Sequence, residues 1–237
     1  MREVPLSDNL QVFSFAEALL SRQFDMVILL TGVGARLLND VFATRYDRDT
    51  LAGALKQVAV VCRGPKPASV MREWGVPIAV TVPEPNTWRE ILKALEGRTE
   101  DRIAIQEYGR PAPELVAGLE ARGARITLVP VYQWAMPEDL QPLRDACRKL
   151  VAGQVDVTLF TAGIQAQHLL QVAAQEGLEA DVLTALRRTV VASIGPTTSE
   201  TLAELGLTAD IEPSHPRMGF LVNEASQRAH EILQSKR

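Results

Sequence analysis

The chain repeats itself at a fixed offset, and that repeat constrains the fold more than any other feature. Gly64 recurs as Gly195, 131 positions on; Gly75 recurs as Gly206 and Pro85 as Pro216 at the same shift. Asp25 likewise becomes Asp156, where "FDMVILLTGVGARLL" meets "VDVTLFTAGIQAQHLL". Each stretch is an acidic residue, a short apolar run, a small-residue turn and a helical period. One gapless shift that aligns several separate elements marks a duplicated unit. Within each copy, short apolar runs alternate with helical patterns, which predicts parallel sheets flanked by helices.

In the first copy the pattern predicts strands over 26–30, 57–62, 77–82, 102–106 and 125–131. Helices are predicted over 35–42, 65–74, 87–95 and 112–122. The third of these opens on "TWRE", a capping box in which Thr87 and Glu90 satisfy each other's exposed amides. The second copy starts near Leu140 and follows the same order to a helix around 219–234. Shifting 102–123 by the repeat points past the last residue, so the second copy is expected to lack one strand–helix unit. The opening "REVPLSDN" resembles "YQWAMPEDL" (132–140), where the first copy hands over to the second. The division expected is one domain over 6–128, a second over 136–237, and crossings at 1–5 and 129–135.

Composition excludes several classes. With a net charge of −4 the chain has no global basic field for nucleic acid, so an anionic ligand would need a local site. Cys62 and Cys147 have no paired spacing and read as reduced core thiols. No apolar run is long enough to span a membrane, and "MREVPLSDNLQ" has no apolar core of a signal peptide, which points to a cytoplasmic protein. His168, His215 and His230 match no metal spacing, so no metal site is expected, and no Ser–His–Asp set can be argued.

The twice-written Gly-Pro element carries the first chemical signal. Pro196 suits the first position of a helix. The amides of Thr197, Thr198 and Ser199 are then expected to lack intrahelical partners and, with the helix dipole, to suit a carboxylate. Gly195 precedes them. The twin element places Lys66 and Ser69 at a similar start, after Arg63. The bland reading of each start is a plain helix cap. Two strand-end turns, Thr31-Gly32-Val33-Gly34 and Thr161-Ala162-Gly163, lie where open parallel sheets bind ligands. "TGVG" lacks the third glycine of a dinucleotide fingerprint.

"VASIGPTTSETLAELGL" (191–207), "VTLFTAGIQ" (157–165), "VPVYQW" (129–134), "LLTGVGARLL" (29–38) and "EYGRPAPELVAGLEARGARI" (107–126) resemble the uroporphyrinogen-III synthase family. The resemblance implies an α/β fold of two similar flavodoxin-like domains, their parallel sheets flanked by helices, joined by crossing strands with a cleft between. It implies a monomeric lyase, free of metal and cofactor, that cyclises hydroxymethylbilane with inversion of the terminal pyrrole ring in tetrapyrrole biosynthesis. In that family the first strand–helix unit precedes the first crossing, so a shortened start is expected here. Tyr132 falls where the family carries a tyrosine near the crossing strand, and it is the candidate donor to the departing hydroxyl. The substrate's carboxylates are assigned to Thr31, Gly32, Arg63, Lys66, Arg110, Thr161, Ala162, Gly195, Thr197 and Thr198. Arg110 would act as a bidentate fork. A non-catalytic two-domain binder of an anionic ligand on the same scaffold is the alternative.

Overall fold

The sequence repeat reappears as a repeat of elements. A computed structural model describes residues 2–107, 109 and 111–236. In chain order the elements are β1 (Arg2–Pro5), α1 (Leu10–Leu20), β2 (Met26–Leu29), α2 (Gly32–Phe42), α3 (Thr50–Leu55), β3 (Ala59–Cys62), α4 (Pro65–Glu73) and β4 (Val80–Thr81). Next come α5 (Trp88–Ala94), β5 (Arg102–Gln106), α6 (Pro113–Glu120), β6 (Arg125–Val129) and β7 (Tyr132–Ala135). The remainder is α7 (Gln141–Val151), β8 (Val157–Phe160), α8 (Gly163–Gln175), α9 (Glu179–Arg188), β9 (Val190–Ser193), α10 (Pro196–Glu204) and α11 (Met218–Lys236). Displaced by 131 positions, β2, β3, α1 and α4 coincide end to end with β8, β9, α7 and α10.

The chain divides into two compact units, one of Glu3–Ala135 and one of Arg2 with residues 136–236. In the first, five parallel strands run in the order β4-β3-β2-β5-β6. Counted from β2 this is 3-2-1-4-5, the order of a dinucleotide-type doubly wound half, where flavodoxin itself runs 2-1-3-4-5. Side chains alternate across the sheet. Val27, Leu29, Val60, Cys62, Ala104 and Val129 face one core with α1, α2, α3 and α4. Met26, Ile28, Val61, Ile103 and Ile105 face a second with α5 and α6. Every residue of β2 is buried, as a central strand covered on both faces requires.

The second unit has β8 paired in parallel with β9, and Ile211 bridging to Ala192 at the place equivalent to β4. Its larger core lies against α7, α8, α9 and α10; a smaller one lies against α11. β1 and β7 pair with each other as a separate ribbon.

Several boundaries differ from the sequence reading. The run at 125–131 breaks after β6 because Pro130 cannot donate to a ladder, and the chain restarts as β7 in another sheet. The strand at 77–82 shrinks to the pair Val80–Thr81, and α2 begins three residues early, directly on the turn. α1 and α3 are helices the reading did not name.

Candidate active site

The sheet of the first unit reverses its winding between β2 and β5, and open sheets hold ligands beyond the carboxyl ends of their strands at such a point. Two side chains span it. Thr31, just past β2, caps α2: its Oγ1 accepts from the Gly34 amide at 3.0 Å. Gln106, the last residue of β5, accepts from the Thr31 amide at 3.2 Å through Oε1. Its Nε2 donates to the Glu107 carbonyl. A Cβ on residue 34 would overlap the Gln106 amide group, so glycine at 34 is what lets that side chain lie over the turn.

Tyr132 opens β7 with its hydroxyl 3.5 Å from Thr31 Oγ1, and its ring packs edge-on against Trp134 at 5.8 Å between centroids. It is 3% exposed and belongs to the core. The start of α4 adjoins: a Cβ on Gly32 would lie 3.0 Å from the Lys66 carbonyl oxygen. The first unit therefore gathers Thr31, Gly32, the Lys66 backbone and Tyr132 at one strand end. The Lys66 side chain is exposed, and Arg63 is half-buried with its amide on the Leu29 carbonyl at 2.9 Å. Arg110 lies outside the described residues.

At the start of α2 the amides of Gly32 and Val33 have no partner among the described residues, and the positive end of the helix dipole lies there. Burial pushes the Glu107 carboxyl above its ordinary range, and its Oε1 has no hydrogen-bond partner among the described residues. Burial also pushes the Cys62 thiol up to about 12, which leaves it an inert core group at neutral pH. Arg36 forms an ion pair with Glu73, Nη2 to Oε2 at 2.5 Å, and so links α2 to α4 at the surface.

The second unit treats its donors differently. Thr161 and Ala162 donate their amides to Gln165 Oε1 at 2.7 and 3.2 Å, and the Thr161 hydroxyl lies 3.3 Å from the same oxygen. At the Gly-Pro turn the amides of Thr198 and Ser199 both donate to the Gly195 carbonyl at 3.0 Å. That corrects the expectation of three free amides: the turn closes on itself, and of those three only the Thr197 amide is left without a partner among the described residues. Thr198 is 5% exposed, while Thr197 is half-buried. The Gly195 amide donates to Ser193 Oγ at 3.3 Å.

Gln106 and Gln165 had no place in the sequence reading. A polar residue ending the apolar strand "RIAIQ" was the available signal for the first, and Gln at the third position of a helix for the second. Among the described residues, no group of three or more His, Cys, Asp or Glu side chains could hold a metal ion, and no helix is long and apolar enough to cross a membrane.

The elements define a doubly wound α/β protein with a duplicated unit. A family profile described as uroporphyrinogen-III synthase HemD matches residues 1–223, and the chain belongs to that family. It is 31% identical over 213 residues to the uncharacterized protein YjjA of Bacillus subtilis (strain 168), covering 87% of this chain and 77% of that one. It is also 31% identical over 192 residues to a protein of Methanothermobacter thermautotrophicus provisionally named uroporphyrinogen-III synthase, covering 79% and 72%. Among solved structures, the wild-type uroporphyrinogen III synthase of the extremely thermophilic bacterium Thermus thermophilus superposes with a TM-score of 0.56 at 27% identity, covering 98% of this chain and 86% of that one.

Proposed function

We propose that this chain is a uroporphyrinogen-III synthase, a cyclising lyase that converts hydroxymethylbilane to uroporphyrinogen III with inversion of the terminal pyrrole ring and no metal or redox cofactor. One observation carries the reading. In a chain of this family, the Tyr132 hydroxyl stands at the switch point of a doubly wound sheet, 3.5 Å from Thr31 Oγ1.

The bilane is intrinsically reactive and can close without inversion, so the protein's task is to hold one folded conformation and help the hydroxyl leave. A neutral phenol does the second by hydrogen bonding to the departing oxygen, which leaves as water with a proton from the medium. Carboxylate binding falls to the Gly32 and Val33 amides with Lys66, Arg63 and Arg110 in the first unit. In the second it falls to the Thr197 amide and hydroxyl, with Thr198, Gly195, Thr161 and Ala162 shaping the two turns. The domains proposed remain 6–128 and 136–237, with crossings at 1–5 and 129–135, in a monomer that works in the cytoplasm.

The burial of Tyr132 favours a second reading, a non-catalytic binder of an anionic ligand, because a core hydroxyl meets substrate only if the site opens. The deciding assay supplies enzymatically generated hydroxymethylbilane and separates the isomers of the product. Isomer III above the no-protein control supports the synthase. Isomer I alone, at the control rate, leaves the binder.

A further inference from the structure

Gln106 is 1% exposed, and both ends of its amide are engaged, Oε1 by the Thr31 amide and Nε2 by the Glu107 carbonyl. The side chain therefore cannot rotate without leaving buried polar groups unpaired. The Thr31 backbone it fixes carries an Oγ1 that also has the Gly34 amide at 3.0 Å, so the hydroxyl has little freedom. The next polar atom along is the Tyr132 hydroxyl. The run from Gln106 through Thr31 to Tyr132 joins β5, the α2 start and β7.

The other unit shows that satisfying the turn does not by itself call for this arrangement. There the amide equivalent to Thr31, that of Ala162, is satisfied by Gln165, which occupies the position equivalent to Gly34. That glutamine belongs to the same helix, and residues 136–237 contain no tyrosine. Beside Tyr132, position 34 is glycine and the acceptor reaches across from another strand.

We propose that Gln106 is a positioning residue for the Tyr132 hydroxyl, acting through Thr31. The proposal rests on the reading of Tyr132 given above. It is tested by a double-mutant cycle of Gln106→Met and Tyr132→Phe, with kcat and KM measured on enzymatically generated hydroxymethylbilane. Gln106→Met is expected to lower kcat about tenfold while KM stays within about twofold. In the Tyr132→Phe background the same change costs less than about twofold, because the group it positions is gone. Gln106→Glu keeps the acceptor for the Thr31 amide but loses the donor to the Glu107 carbonyl, and is expected to recover only part of the lost kcat. Equal losses in both backgrounds overturn the proposal. Should Gln106→Met not fold, Gln106→Asn, one methylene shorter, replaces it with the same expectations.

A second arm reads position without turnover: with ring-labelled tyrosine, the Tyr132 resonance shifts in Gln106→Met. An unmoved resonance in a folded variant overturns the proposal. A wild-type chain that yields no isomer III sinks the proposed reaction, and the resonance still decides the positioning.

Discussion

The two units share β2 with β8, β3 with β9, α1 with α7 and α4 with α10 at one spacing, yet they satisfy their strand-end turns by opposite means. In Glu3–Ala135 the turn after β2 is held from outside, by a buried glutamine on the neighbouring strand β5. In the other unit the turn after β8 is held from within, by the third residue of its own helix. The difference follows from the sheets. β2 has β5 beside it, and β5 delivers Gln106 to the switch point. Among the described residues β8 pairs only with β9, so its turn has no neighbouring strand end to lean on. Local closure leaves a turn independent of the sheet. Remote closure makes the turn a reporter of how the sheet is assembled, and Tyr132 is next to the turn closed that way.

The largest effect that could break this comparison is in the cores. Ile28 and Leu159 are equivalent positions, but the first is fully buried under α5 and α6 and the second is 40% exposed. Ile28→Ala is expected to cost about 2–5 kcal/mol by lost burial and cavity formation, and Leu159→Ala less than about 1 kcal/mol. Urea midpoints give both; similar losses would mean that the two sheets are equally covered.

A smaller effect sharpens the turn contrast. Gly34→Ala puts a methyl group where the Gln106 amide lies, displaces it and strands the Thr31 amide, for about 1–3 kcal/mol. Gln165→Ala, which removes the acceptor from a half-buried turn that water can reach, is expected to cost about 0.5–1 kcal/mol. If Gln165→Ala proves the costlier in urea denaturation, the assignment of remote and local closure is wrong.

The smallest effect is acid sensitivity. Asp25 forms an ion pair with Arg102 across the start of β2 and β5, with Arg102 Nε on its Oδ2 at 2.9 Å. Hydrogen bonding to that guanidinium holds the carboxyl at about 2, below its ordinary value of 3.8. A carboxyl lowered by folding stabilises above its unfolded value and loses that contribution as pH falls toward the folded one. Partial exposure of the pair limits this to about 1 kcal/mol. Hydrogen-exchange protection at β2 and β5, corrected for the intrinsic pH dependence of amide exchange, should therefore fall between about pH 4 and pH 2, and Asp25→Asn should remove that dependence. An unchanged acid limb in Asp25→Asn would assign the effect elsewhere.

Much of the fold was legible because the repeat is gapless. Met26, Ala59 and Pro65 announce their partners Val157, Val190 and Pro196, and composition needs only to tell strand from helix. α1 and α3 escaped because their sequences carry no cap or turn signal as clear as "TWRE" or Gly-Pro. The candidate site was legible where it depends on neighbours in sequence: Thr31 in a strand-end turn, Lys66 at a helix start. It was not legible where it depends on distance along the chain. Thr31 meets Gln106 from 75 positions away and Tyr132 from 101, and no local pattern encodes either contact. The free amides expected at Thr198 and Ser199 failed for a local reason. A Gly-Pro start can fold its own carbonyl back onto the next turn, and composition does not distinguish that from an open nest.

The ribbon of β1 and β7 has a consequence beyond chemistry. It brings together the two places where the backbone passes into and out of Glu3–Ala135, so that this segment begins and ends at nearly one point. A stretch closed in that way can be spliced into a surface loop of an unrelated host without stretching either flank.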